Sequence, residues 1–209
     1  MRLKARQAKQ AHQRVAIFLG LFLVIHFATH FSALAGIAAQ DVTMQFGRAA
    51  YRIPVVEIAL VTAFAVQVAL GVDLLRRIAK RPRKDAWHWA QFVSGCYLAY
   101  FIVMHTAAAL VTRLGFGLET NFFWAAGTLV IEPLKFGFAP YYTLAVTALV
   151  AHLIAALHFR GPKRWHAPAL LAGPVAGAAI VAAYGGALFP INFPTAYLEY
   201  YSAFPGVGA

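Results

Sequence analysis

The chain has 209 residues, of which 61% are apolar and only 12% are charged. This composition excludes an ordinary soluble globular protein and indicates the integral membrane class. Cys96 is the single cysteine, which excludes an internal disulfide and any iron–sulfur or zinc site built on clustered cysteines. Electron-transfer chemistry in such a chain would therefore depend on histidine ligands.

Five apolar segments each approach the roughly 20 residues that a helix needs to cross the hydrocarbon of a bilayer. They predict an all-α fold, in which residues 1–209 form a single membrane domain built as a five-helix bundle. The segment 113–140 is long and contains Glu119, Glu132 and Pro133, which predicts a short interfacial helix rather than a sixth span. The tail is rich in Pro and Tyr, which predicts irregular structure at the interface. The predicted spans cover residues 15–39, 54–75, 89–112, 141–159 and 168–189.

The net charge of +11 is concentrated on alternate connections between the spans. Five Lys and Arg residues precede the first span, six lie in "RRIAKRPRK" and three in "RGPKRW". By the positive-inside rule, this pattern predicts a multi-pass protein of the cytoplasmic membrane with a cytoplasmic N-terminus and an external C-terminus. Because the charge sits in short loops beside lipid, no nucleic-acid partner is expected. The first apolar run is too long for a signal-peptide core, so we expect it to be retained.

A glycine followed by nine residues and a histidine occurs twice, ending at His30 and at His105. A histidine deep in an apolar span is costly unless something binds it. His30 lies 16 residues beyond Arg14 and His105 lies 16 beyond Trp89, so both are about 24 Å from the cytoplasmic side. Two imidazoles at one depth, on the first and third spans, are what a six-coordinate haem b needs. The alternative is that each histidine only hydrogen-bonds a neighbouring helix.

The segment from Trp87 to His105, "WHWAQFVSGCYLAYFIVMH", resembles the haem-bearing helix of the succinate dehydrogenase and fumarate reductase cytochrome b family. The family pattern is an aromatic pair, Gln, a small hydroxyl residue before Gly, and His ten positions after that Gly. Spans one, two and four are similar to the family's corresponding helices. The resemblance implies a five-helix anchor that carries two stacked haems b and joins a flavoprotein and an iron–sulfur subunit on the cytoplasmic side. The residues that match the pattern are Trp87, Trp89, Gln91, Ser94, Gly95 and His105.

The resemblance places His30 and His105 at the outer haem, but the inner haem position departs from the family. There the second and fourth helices carry Gln67 and His152. An amide is a poor ligand for haem iron, so we expect one haem b, held by His30 and His105, with a second haem as an open alternative. His26 lies four residues before His30 on nearly the same helix face, and it is an alternative partner for His152 or a hydrogen-bonding residue. Histidines expected at or beyond the cytoplasmic boundary, in solvated or interfacial positions, are His12, His88, His158 and His166.

A polar cluster is expected on the external side, near the outer haem. Arg48, Tyr51, Arg52 and Arg113 are candidates for pairing with haem propionates, and Glu57 is a candidate quinone or proton contact. The alternative is a set of interfacial Glu–Arg pairs with snorkelling side chains.

Together these features predict the membrane anchor of a succinate:quinone oxidoreductase or quinol:fumarate reductase complex, which is no catalyst by itself. It would pass electrons between a cytoplasmic iron–sulfur subunit and membrane quinone. Two alternatives stay open. One is another b-type membrane cytochrome, serving a hydrogenase, a dehydrogenase or a photosynthetic chain. The other is a haem-free structural subunit of an energy-transducing complex. The sequence predicts neither the oligomeric state nor the direction of the reaction.

Overall fold

The computed structural model describes residues 4–80, 82 and 85–208, and every regular element in these ranges is helical. Five helical segments are long and apolar enough to cross a membrane, which confirms the five-span, all-helical prediction. The basic residues Arg2, Arg81, Arg83 and Lys84, which contribute to the predicted topology, lie outside the described residues. The helices are α1 Ala5–Ser32, α2 Ile37–Tyr51, α3 Pro54–Ala79, α4 Ala86–Gly115, α5 Phe122–Val130, α6 Leu134–His158, α7 His166–Ala169, α8 Ala172–Tyr184 and α9 Thr195–Ser202.

Local sequence explains where several helices begin and end. Gly36 has φ of 115°, a conformation that other residues avoid, so the chain turns there and the first span ends before the predicted residue 39. Pro54 occupies the first turn of α3, where a missing N–H costs nothing. The side chain of Asp85 caps α4 by accepting a hydrogen bond from the His88 backbone N–H at 3.0 Å. Asn121 caps α5 in the same way, through the Phe123 N–H.

The long helices pack in sequence around an interior. Helix α1 packs on α3, α3 on α4, α4 on α6, and α6 on α8. Among the described residues, no Cα atom of α1 lies within 8 Å of a Cα atom of α4. These two helices therefore stand on opposite sides of the bundle, and side chains from both can project into the space between them.

The connection between the third and fourth spans contains the expected short helix, α5, and this helix packs into the protein. Six of the nine residues of α5 are buried, among them Phe122 and Trp124. The tail, expected to be irregular, forms α9 instead. The Tyr201 hydroxyl donates to the Trp124 carbonyl, and the Tyr197 hydroxyl donates to the Glu119 carbonyl at 2.9 Å. Helices α2, α5 and α9 close one end of the bundle, which we call the loop end.

Helices α6 and α8 approach closely because α8 carries two glycines one turn apart. A Cβ atom at Gly177 would lie 2.9 Å from the Thr143 carbonyl oxygen, and one at Gly173 would lie 2.8 Å from the Thr147 Cα. Small residues at this spacing let membrane helices pack backbone against backbone. The glycines therefore set the distance between the last two spans.

We expect Gly177→Ala to force α6 and α8 apart, at a cost of about 1–3 kcal/mol, as is typical of overpacking. Thermal unfolding of the purified protein in detergent measures the loss. Gly137→Ala is the control, because a Cβ at this exposed position of α6 meets nothing within 4 Å. Equal melting temperatures for the two variants would contradict the close-packing role.

Candidate functional site

Three imidazoles meet inside the bundle, and we call His26, His30 and His105 the histidine cluster. His30 Nε2 lies 3.1 Å from His26 Nε2, and His30 Nδ1 lies 3.1 Å from the Tyr184 hydroxyl. The ring contact from α1 to His105 is made by His26, with ring centres 6.1 Å apart. The structure thus brings the sequence-predicted residues His30 and His105 into one cluster, with His26 between them.

His105 has no hydrogen-bond partner among the described residues. Its ring stacks on Phe101 at 5.1 Å, and Trp124 and Tyr142 flank it at 6.3 and 6.4 Å. An imidazole in a membrane span with neither nitrogen satisfied is costly. The described residues therefore give no support to the alternative in which His105 only hydrogen-bonds a neighbouring helix.

The surroundings of the cluster fit a flat cofactor bound through its metal. His26, His30 and His105 are each partly buried. A metal with imidazole nitrogens about 2.0 Å away on either side would hold the ring centres about 6 Å apart. His26 and His105 are 6.1 Å apart, and their neighbours are apolar or aromatic. Haem iron is therefore compatible with this set of donors.

The hydrogen bonds distinguish His26 from His30. Both nitrogens of His30 are engaged, one by Tyr184 and one by His26. His26 is engaged only through Nε2, which leaves Nδ1 without a partner among the described residues. The geometry favours His26 as the residue opposite His105, with His30 orienting it as a second imidazole. The sequence shows both histidines on nearly the same helix face, but it does not show how α1 is rotated and therefore which of them contacts His105.

A second polar level lies toward the N-terminal end of α1. His152 Nδ1 pairs with the Ser94 hydroxyl at 3.1 Å, and Gln67 Nε2 pairs with His12 Nε2 at 3.0 Å. His12 is half-buried within α1, which begins at Ala5. The amide nitrogen of Gln67 is engaged by His12, and its Oε1 atom is buried without a hydrogen-bond partner among the described residues.

The external cluster predicted from sequence forms at the loop end, where its arginines are paired with carboxylates. Arg48 and Arg52 bind Glu119 at 3.0 and 2.7 Å, and Arg113 binds Glu57 with a second contact at 3.3 Å. These are the Glu–Arg pairs that the sequence offered as the alternative to propionate binding. Three arginines share two glutamates, so one positive charge is not neutralised. The propionate role of the arginines stays a prediction.

Tyr51 and Glu57 occupy different parts of this cluster. The Tyr51 ring lies against Phe22, with ring centres 5.4 Å apart. The Glu57–Arg113 pair borders a groove of about 290 Å³ between α3 and α4, which Thr62 also lines. Because Glu57 lines this groove, it remains a candidate contact for a quinone or a proton.

Comparisons of the chain with protein-family models, with curated proteins and with solved structures found no match. The function therefore has to be inferred from the residues and their geometry.

The pKa of the Glu119 carboxyl lies below its usual value. Burial works against the charged form, but the hydrogen bond from Arg52 and the charges of Arg52 and Arg48 outweigh it. Because the pKa of Glu119 is lower in the folded protein than in the unfolded chain, its ion pairs stabilise the folded protein. This stabilisation is fully present at pH values above the ordinary carboxyl pKa of about 4.3. This stabilisation is lost as the pH falls through the pKa of the folded state.

We expect Glu119→Gln to lower the stability at pH 7 by about 1 kcal/mol or less, because Glu119 is 56% exposed. The difference in stability between Glu119→Gln and the wild type should shrink as the pH falls through the pKa of Glu119, because the protonated carboxyl no longer forms ion pairs. Thermal unfolding across a pH series measures it. Glu199→Gln, at an exposed position of α9, is the control and should show no such dependence. A difference that stays constant with pH would contradict the ion-pair explanation.

Proposed function

We propose that the chain is the haem b-containing membrane subunit of a succinate:quinone oxidoreductase or quinol:fumarate reductase type of complex. The observation that carries the proposal is His105, which has no hydrogen-bond partner among the described residues and faces His26 across the interior. Helices α1 and α4, which carry these residues, do not approach each other closely. Bound metal would satisfy the unpaired nitrogens, and the space would hold the macrocycle.

Different side chains would bind the iron, orient a ligand and exclude water. His105 and His26 would hold the iron, and His30 would keep the His26 ring in place through its own bond to Tyr184. Phe101 and Trp124 provide aromatic walls that exclude water. Haem, when bound, supplies one-electron transfer at a potential set by its ligands and its burial.

The charge pattern supports the proposed arrangement of partners. The basic loops would face the cytoplasm, where the iron–sulfur and flavoprotein subunits would dock, and the loop end would be external. Quinone would reach the subunit from the lipid, and the groove beside Glu57 and Arg113 opens between α3 and α4. The apolar outer surfaces of the spans would contact membrane lipid.

We expect the purified protein to show a Soret band and a reducible α band. His105→Ala should abolish both bands, because it removes a ligand that nothing nearby replaces. His26→Ala should also lose them, whereas His30→Ala should keep haem with an altered spectrum. His88→Ala, outside the cluster, is the control. A wild-type protein without haem would end the proposal, and loss of haem in His30→Ala alone would make His30 the ligand.

We expect one haem per chain, because Gln67 offers an amide where a second imidazole would be needed. A pyridine haemochrome assay against protein concentration gives the count. His152→Ala should leave the count unchanged, since its side chain is committed to Ser94. Two haems per wild-type chain, or loss of one in His152→Ala, would contradict this expectation.

A further inference from the structure

The connection between α6 and α7, residues 160–165, lies at the end of the bundle opposite the loop end, and we call it the basic loop. It contains three cations, Arg160, Lys163 and Arg164, and all three are exposed. None of them takes part in an ion pair among the described residues. Like charges this close in the chain create a positive potential that attracts an anion.

The carboxylates described at this end of the bundle do not neutralise the basic loop. Asp73 on α3 pairs with Arg77 at 2.8 Å, and Asp85, which precedes α4, pairs with His88 at 2.8 Å. Each partner belongs to the same segment as its carboxylate, so neither pair includes a residue of the basic loop. The counter-charge for the loop therefore has to come from a molecule outside the described part of the chain.

Two histidines hold the basic loop in one shape. The Lys163 backbone N–H donates to His166 Nδ1 at 3.2 Å, and the His166 backbone N–H donates to the Lys163 carbonyl at 3.2 Å. His158 Nδ1 lies 3.3 Å from the same His166 nitrogen, and the His158 ring stacks on Trp87 with ring centres 4.1 Å apart. Because the backbone is already fixed, an anion that binds the loop has to order little beyond the cationic side chains.

Apolar side chains adjoin the basic loop. Trp165 is 49% exposed and Phe159 is 41% exposed, and aromatic residues of this kind are typical of the boundary between membrane and water. The last turns of α6 expose Leu153 and Leu157, and Leu171 is exposed at the start of α8. An acidic soluble protein would match the charge of the loop but not these apolar side chains. A molecule with an anionic headgroup and hydrocarbon chains matches both.

We propose that the basic loop binds an anionic phospholipid, with the phosphate of the headgroup beside Lys163 and Arg164 and an acyl chain along Leu153 and Leu157. The predicted topology requires basic residues only somewhere on one side of the membrane, whereas a loop of fixed shape binds a lipid at a defined place. The site does not depend on the proposed function, because no residue of the histidine cluster takes part in it.

Native mass spectrometry of the full chain, delipidated in detergent, tests the proposal by titration with phosphatidylglycerol and with phosphatidylcholine of the same acyl chains. The wild type should bind phosphatidylglycerol more tightly. Lys163→Gln/Arg164→Gln should weaken phosphatidylglycerol binding about tenfold or more, because each cation near an anionic headgroup contributes about a fivefold change. Its binding of phosphatidylcholine should not change. Lys163→Arg/Arg164→Lys keeps both charges and should bind like the wild type.

Arg6→Gln/Lys9→Gln is the matched control, because it removes the same charge from exposed positions of α1 and leaves the basic loop intact. This variant should keep the wild-type affinity for phosphatidylglycerol. Equal weakening in the two charge-removing variants would show attraction to the net charge of the protein and overturn the defined site. Equal binding of the two lipids by the wild type, or unchanged binding in Lys163→Gln/Arg164→Gln, would also overturn it. The backbone of Lys163 holds the loop, so this variant should keep the wild-type melting temperature.

Two competitors identify the source of the anion. Inorganic phosphate in molar excess over the lipid should leave phosphatidylglycerol bound, because phosphate has no hydrocarbon to place against α6. Displacement by phosphate would indicate a simple anion site and overturn the lipid assignment. A polyglutamate peptide should compete weakly for the same reason. Displacement by this peptide at a concentration equal to that of the lipid would indicate an acidic protein surface as the occupant and would also overturn the proposal.

Discussion

Hydrocarbon offers no hydrogen-bond partner, so a polar side chain inside this bundle has to be satisfied by another protein group or by a bound molecule. Some, such as Thr29 and Thr147, bond a carbonyl of their own helix, and others find a partner on a different helix. Ser94 on α4 pairs with His152 on α6 at 3.1 Å, and His30 on α1 pairs with Tyr184 on α8 at 3.1 Å. These pairs join helices that are distant in the chain. They help to fix the register of a bundle whose other contacts are largely apolar and nondirectional.

Some polar groups inside the protein lack a hydrogen-bond partner among the described residues. They include the His105 ring and the side-chain oxygens of Gln40 and Gln67. Tyr184 contacts both His30 and Gln40.

Hydropathy predicted the five helical spans because the requirement to cross the hydrocarbon is local in sequence. At the loop end, structure depends on distant contacts. The apolar residues of α5 are buried because they pack against α6 and α8. The tail is helical where hydroxyl groups such as that of Tyr201 reach a carbonyl 77 residues away. No local pattern of Pro and Tyr predicts such a partner.

The sequence by itself predicted histidines inside the first and third spans, because the spans follow from local hydropathy. It also determined that the position of Gln67 lacks an imidazole. Only the tertiary structure decided that His26 rather than His30 faces His105, because that depends on how α1 is rotated by its packing on α3. It also decided that His12 is half-buried against Gln67, since the two residues are 55 positions apart and meet only when those helices pack.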